Sequence, residues 1–147
     1  MFRFRLKSIQ NYRQYIYKNA QISLAAAQQQ YQLLFSRREE LKEEISEQNR
    51  IWKEKQACGI KASEHFHYMD YCQSLQRDLI VLDARLKDIS DDIDRAREVL
   101  LERKKEVQIL DSLEEDAKRD YQNVLARKEQ NCLDELVIIA DYYSKKG

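Results

Sequence analysis

Apolar residues recur every three or four positions along almost the whole chain, the spacing of helices that each bury one stripe. The first stripe steps through Leu6, Ile9, Arg13, Ile16, Ala20, Leu24, Ala27, Tyr31, Leu34, Arg38, Leu41, Ile45, Gln48 and Trp52. Eleven of these fourteen are apolar or aromatic, so the run reads as a coiled-coil seam. Two consecutive steps of four, from Ile16 through Ala20 to Leu24, predict a stutter that locally unwinds the supercoil. A second stripe runs from Cys72 and Leu75 through Leu79, Leu82, Leu86, Ile89 and Ile93 to Tyr121 and Val124, alternating threes and fours throughout.

Between the stripes lies QACGIKASEHF. Gly59 is the one internal residue that enters a left-handed helix cap at little cost. Ser63 is placed to cap the helix that follows, with Glu64 in its first turn. The pattern therefore predicts helix one over about residues 2–57, a turn over about 58–63 and helix two over about 64–143, in one domain spanning 1–147. A single apolar stripe cannot remain in water, and a short turn favours antiparallel neighbours. The expected fold is all-α, a long antiparallel two-helix coiled-coil hairpin.

The arms are unequal. Folding about residues 60–61 pairs residue i with roughly 121 − i, which sets Phe2 beside Arg119. About 24 residues of helix two then project beyond the first arm, some 36 Å at ~1.5 Å per residue. Leu133, Leu136, Val137, Ala140 and Tyr143 keep an apolar face along this end, and Phe2 and Phe4 join it. Apolar surface without an internal partner is the mark of a docking site.

Composition strengthens the helical reading. The 147 residues include no proline and only Gly59 and Gly147, where average proline usage of roughly 5 % would give about seven. Charged residues make up 35 % and are mixed in sign. The net charge is zero but unevenly spread: residues 1–38 carry seven bases and no acid, leaving 19 bases against 26 acids beyond them. Such a basic segment attracts an acidic surface, a nucleic acid or a membrane. A transit-peptide reading is set aside because the apolar repeat continues through it without a break. No apolar run approaches the roughly 18 residues that a membrane span needs. Cys58, Cys72 and Cys132 form no C-x-x-C and read as reduced thiols of a cytoplasmic protein.

No catalytic constellation, phosphate loop or cofactor motif stands out, and a two-helix hairpin lacks the loops that build a concave pocket. Neither an enzyme nor a cofactor-binding protein is expected. His65, His67, Asp70 and Cys72 are metal-ligand types, but a His-x-His pair on a helix points its rings about 200° apart. No metal site is expected. Trp52, Phe66, Tyr68, Met69 and Tyr71 gather at the turn, either as an aromatic cap on the hairpin tip or as a binding face.

The ordered set FRFRL, then YR, a long heptad helix, a lone glycine before an aromatic tip with Tyr68, Tyr71 and Leu75, and LDEL near the C-terminus resembles the flagellar export protein family FliJ. The resemblance implies a non-enzymatic stalk component of the flagellar type III export apparatus, its hairpin similar to the two-helix part of a rotary ATPase central stalk. It implies that the terminal end enters the export ATPase ring and promotes ring assembly and activity. The other end would approach the cytoplasmic domain of the membrane export gate, and export chaperones would be further partners. Carried over, Phe2, Phe4, Arg5, Leu6, Arg13, Leu133, Asp134 and Glu135 belong to the ATPase-facing end. Tyr68, Tyr71 and Leu75 belong to the gate-facing end. The implied location is cytoplasmic, peripheral to the inner membrane through partners. The strongly apolar LVIIADYY segment departs from the family pattern.

Competing readings remain on the residues alone. A generic coiled-coil scaffold has no use for an exposed apolar end. A membrane-surface protein could lay FRFRLKSIQNYRQYIYK on lipid as a basic amphipathic helix. Nucleic-acid binding is not expected, because the acidic remainder is a poor electrostatic platform.

Overall fold

A computed structural model of the chain describes residues 1–146. It is all-α: helix α1 spans Lys7–Cys58 and helix α2 spans Ala62–Lys146. Together they form a helical hairpin. The chain divides into two compact units, one made of Met1–Lys18 with the chain from Glu102 onward, the other of Asn19–Leu101.

In the second unit the core is built from Leu41, Leu75 and Leu82, with Leu34, Ile45 and Leu79 packed against them. Leu86, Ile89 and Ile93 are also buried, as the regular three-and-four stepping of this stretch requires. Arg38 donates to the Asp83 carboxylate across the helices, a pair whose numbers add to 121, which gives the antiparallel register of this unit. In the first unit Gln10 pairs with Asp111 and Lys7 with Glu114, in the same register.

The turn closes on Gly59, the one described residue with a positive φ, at 92°. Its N–H donates to the Gln56 carbonyl at 3.3 Å, which ends α1. The Lys61 carbonyl accepts from the His65 N–H at 3.1 Å, so Lys61 occupies the cap position of α2. Ser63 thus lies inside the first turn rather than capping it, which corrects the sequence expectation. The helix simply starts two residues earlier than the serine suggested.

Helix α1 also departs from its expected start near residue 2. Residues 1–4 have no helical structure and a turn covers residues 5–6. The Lys7 N–H donates to the Phe4 carbonyl at 3.2 Å, and the Gln10 N–H reaches the Leu6 carbonyl at 2.9 Å as the first helical bond. The alternation of FRFRL has period two, so a helix there would scatter its apolar side chains around the axis. As a non-helical lead-in it half-buries Phe2, Phe4 and Leu6 and leaves Arg3, Arg5 and Lys7 exposed.

The first seam needs one correction. Gln10 is 3 % exposed and Ile9 is 49 % exposed, so the buried line passes through the glutamine. Tyr17 is half-buried beside Ile16. The line Leu6, Gln10, Arg13, Tyr17, Ala20, Leu24 alternates fours and threes, and the expected stutter disappears.

Candidate docking surfaces

The first surface belongs to the unit that holds residues 1–18. The Phe2 ring packs against Tyr121 of α2, centroids 5.6 Å apart and tilted at 52°. Phe2, Arg3 and Phe4 line a shallow depression of about 390 Å³ together with Lys7, Glu114 and Lys118. Phe2, Phe4 and Leu6 are half-buried, so part of their apolar surface is already covered, that of Phe2 by Tyr121. Arg5 is exposed, and Arg13 is held by Glu106 at 3.0 Å.

A polar relay underlies this depression. Lys7 Nζ donates to Gln10 Oε1 at 3.0 Å, and Gln10 Nε2 donates to Asp111 Oδ1 at 2.8 Å. Glu114 lies between Lys7, at 3.7 Å, and Lys118, at 3.3 Å. The Gln10 amide first, then Lys118 and Lys7, hold the Glu114 carboxyl below the usual carboxylate range, against the opposing effect of burial. One Glu114 oxygen, Oε2, is buried without a hydrogen-bond donor and is met only by the Lys7 charge.

Tyr121 is the last residue of α2 that is even half-buried, and residues 122–146 are all exposed. Along them Leu133, Leu136, Val137 and Tyr143 stand between 56 % and 68 % exposed, and Ile138, Ile139 and Tyr142 join them. Ile138 and Tyr142 point away from Leu136 and Tyr143 on the helix, which is why heptad stepping did not single them out. The unbroken string LVIIADYY was the signal that this end is apolar on several sides. Asp134 accepts from Gln130 Nε2 at 3.1 Å, one helical turn away, and Glu135 is exposed.

The second surface lies at the turn end of the other unit. Tyr68 stacks on Trp52 with centroids 4.1 Å apart and planes 6° from parallel, and His65 leans on the same indole at 5.6 Å. The Tyr68 hydroxyl donates to Asn49 Oδ1 at 2.6 Å, and the Tyr71 hydroxyl donates to the Glu44 carboxylate. Burial pushes the Tyr68 phenol up to about 12, with the Cys72 thiol adding to the effect. The hydrogen bond to Glu44 also raises the Tyr71 phenol above its ordinary value. Trp52, Tyr68 and Tyr71 line a groove of about 310 Å³ with Gln48, Ile51, Lys55, Glu64 and His67.

The tip is therefore an aromatic cap with apolar side chains left exposed around it. Trp52 is buried beneath it, while Phe66, Met69 and Tyr71 are exposed outside it. Leu75 is 6 % exposed and belongs to the core with Leu41 and Leu82, so it is not part of the tip's surface. Cys58 and Cys132 are exposed free thiols and Cys72 is a half-buried one. No described helix is long and apolar enough to cross a membrane.

Comparison with curated proteins and with solved structures gives no match. A family match covers residues 2–146, and its description is Flagellar FliJ protein. That span takes in both surfaces and the turn between the helices, and on it the chain belongs to the flagellar FliJ family.

Proposed function

We propose that this FliJ-family chain is a non-enzymatic stalk component of flagellar type III protein export, docking into the export ATPase ring through its first unit. The observation that carries the reading is the change at Tyr121. Up to that residue α2 is packed, and past it 25 residues rich in large apolar side chains have no cover. Burying a large apolar side chain contributes about 1.5–3 kcal/mol, so a few of those between Leu133 and Tyr143 suffice for a specific complex. Exposed Arg3, Arg5 and Lys7 frame the neighbouring Phe2 and Phe4, where charge steers the encounter with a ring. Leu133, Asp134 and Glu135 supply a mixed apolar and acidic strip farther along.

The aromatic tip serves as the contact for the cytoplasmic domain of the export gate, through Tyr71 and the edge of Tyr68, while Leu75 lies in the core. Export chaperones are further clients. These partners bring the protein to the cytoplasmic face of the membrane.

The test is binding to, and stimulation of, the export ATPase by chains carrying Leu136→Glu with Val137→Glu. Both side chains are exposed, so the hairpin remains intact while the apolar end is charged. ATPase association is expected to fall at least roughly tenfold, since an unpaired carboxylate resists burial. Undiminished binding overturns docking through this end. In parallel, Tyr71→Ala is expected to weaken binding to the gate domain and leave ATPase binding unchanged. Loss of both partners together overturns the assignment of separate ends.

A further inference from the structure

The packed seam of the first unit has two edges, and they differ in character. On one edge Gln10 meets Asp111, and Lys7 meets Glu114, which Lys118 also holds. The lead-in lies over this edge, where Phe2 and Phe4 line their depression with Lys7, Glu114 and Lys118. Arg13 and Glu106 bridge the helices on the opposite edge. At about 100° per residue, Ile9, Tyr12 and Ile16 fall on the Arg13 side of α1, and Ile109 and Leu113 on the Glu106 side of α2. Tyr12 and Ile109, level with each other in the antiparallel register, are 60 % and 61 % exposed. Ile9 and Leu113 are exposed beside them, and Ile16 is half-buried.

Two helices that pack only against each other need a narrow apolar stripe with charged flanks, whereas helices of a larger bundle carry a wider one. Here the stripe is widened on both helices and on the same side, so a third helix laid in the groove touches both at once. Arg13 and Glu106 cross the floor of the groove with their charges already matched, Arg103 adding a second contact to Glu106 at 3.2 Å. Charge sets the rest of the chemistry. The α2 border steps by fours and threes through Glu102, Glu106, Ile109, Leu113, Asp116 and Asp120, four acids and no base. Glu102 and Asp120 are exposed at its two ends, and Asp116 is exposed with Arg119 beside it at 3.3 Å. The α1 border of Ile9, Tyr12 and Ile16 carries no charge. An incoming helix is therefore favoured when Lys or Arg lines the flank that meets α2, and the same acids repel anionic lipid.

We propose that this groove receives an amphipathic helix from a partner protein, with an apolar stripe and Lys or Arg on its α2-facing flank, completing a local three-helix bundle. The apolar part runs along residues 9–16 of α1, about 10 Å at ~1.5 Å per residue, so the contact is short. Such an interface falls at the small, transient end of the size range, suited to a partner that binds and leaves. It uses none of the exposed residues beyond Tyr121, so it stands apart from ATPase docking and does not rest on it.

The test pairs the full chain with a labelled synthetic peptide of three heptads, Leu at the seam positions and Lys along one flank. Binding by fluorescence anisotropy is expected, with helix content of the mixture above that of its parts by circular dichroism. Tyr12→Glu with Ile109→Glu, both at exposed positions, is expected to weaken binding by roughly tenfold or more while the chain keeps its own helix content. Leu136→Glu with Val137→Glu is expected to leave it unchanged. A peptide with Glu in place of Lys is expected to bind the parent chain poorly and a Glu102→Lys, Asp120→Lys chain better. No binding of the Lys peptide overturns the proposal, as does binding that survives Tyr12→Glu with Ile109→Glu. Equal binding of the Lys and Glu peptides overturns the assigned chemistry. Self-association of the chain in sedimentation equilibrium, abolished by the same two glutamates, marks a second copy as the occupant and overturns it. So does binding to phosphatidylglycerol vesicles that those glutamates abolish. ATPase binding is read separately, through Leu136 and Val137, so the two readings fail independently.

Discussion

Gln10 Nε2 donates to Asp111 Oδ1 at 2.8 Å from a side chain that is only 3 % exposed, making a polar residue the most buried point of its unit's seam. A buried amide between two helices fixes which residues face each other, because any slip leaves it without a partner. Gln10→Ala is expected to cost about 1 kcal/mol, mostly lost packing and the lost hydrogen bond, since Asp111 is exposed and regains water. Gln10→Leu is expected to be close to neutral in urea melts. If Gln10→Leu destabilises as much as Gln10→Ala, the amide contributes stability as well as register.

Acid should loosen the same unit. The Glu114 carboxyl is held below its ordinary range by the Gln10 amide, Lys118 and Lys7, so its pKa is lower folded than unfolded. A depressed pKa contributes stability that is present above the unfolded value and lost as pH falls through the folded one. Thermal melts between neutral and strongly acidic pH are expected to show this loss, and Glu114→Gln to reduce its slope. An unchanged slope would place the acid sensitivity elsewhere.

At the tip the sign reverses. The Tyr68 phenol is raised to about 12, so its neutral form is favoured by folding. The associated stability is complete below the ordinary tyrosine range and drains away as pH climbs toward the folded value. Ultraviolet titration is expected to show late-ionising tyrosine, with a smaller late amplitude in Tyr68→Phe. Trp52→Ala, which removes the ring beneath Tyr68 and His65, is expected to cost about 3–5 kcal/mol. A much smaller loss would mean that the tip repacks around the gap.

Gly59 tests the turn. A Cβ built there meets nothing within 4 Å, so space is not limiting and only the φ of +92° opposes a side chain. Gly59→Ala is expected to cost about 1–2 kcal/mol in chemical denaturation, the penalty of a left-handed backbone. Gly59→Asn should cost less, because asparagine tolerates that region better. Equal losses for both would point to a wider disturbance of the turn.

Much of the fold follows from spacing alone. Leu75, Leu82, Leu86, Ile89 and Ile93 are large, apolar and evenly stepped, so no other helical face competes for burial, and the structure buries them. Gly59 announces the turn because it is the only internal residue suited to a left-handed cap. The antiparallel pairing follows from a short turn between two long stripes.

What the chain alone left open were choices between adjacent residues, which only the second helix resolves. Ile9 is the more hydrophobic neighbour, yet Gln10 takes the seam because Asp111 and Lys7 satisfy its amide there. Tyr17 shares burial with Ile16, so a regular seam replaces an apparent stutter. Phe2 turns toward α2 from a non-helical lead-in because Tyr121 offers a ring within reach, a contact between residues far apart in sequence. Tyr68 and Tyr71 have the same side chain three positions apart. Trp52 and Asn49 hold one in the cap, while the other is tied to Glu44 and remains exposed. Periodicity sets which stripe of a helix is buried; the facing side chains decide which atom of that stripe gains a partner and which is left in water.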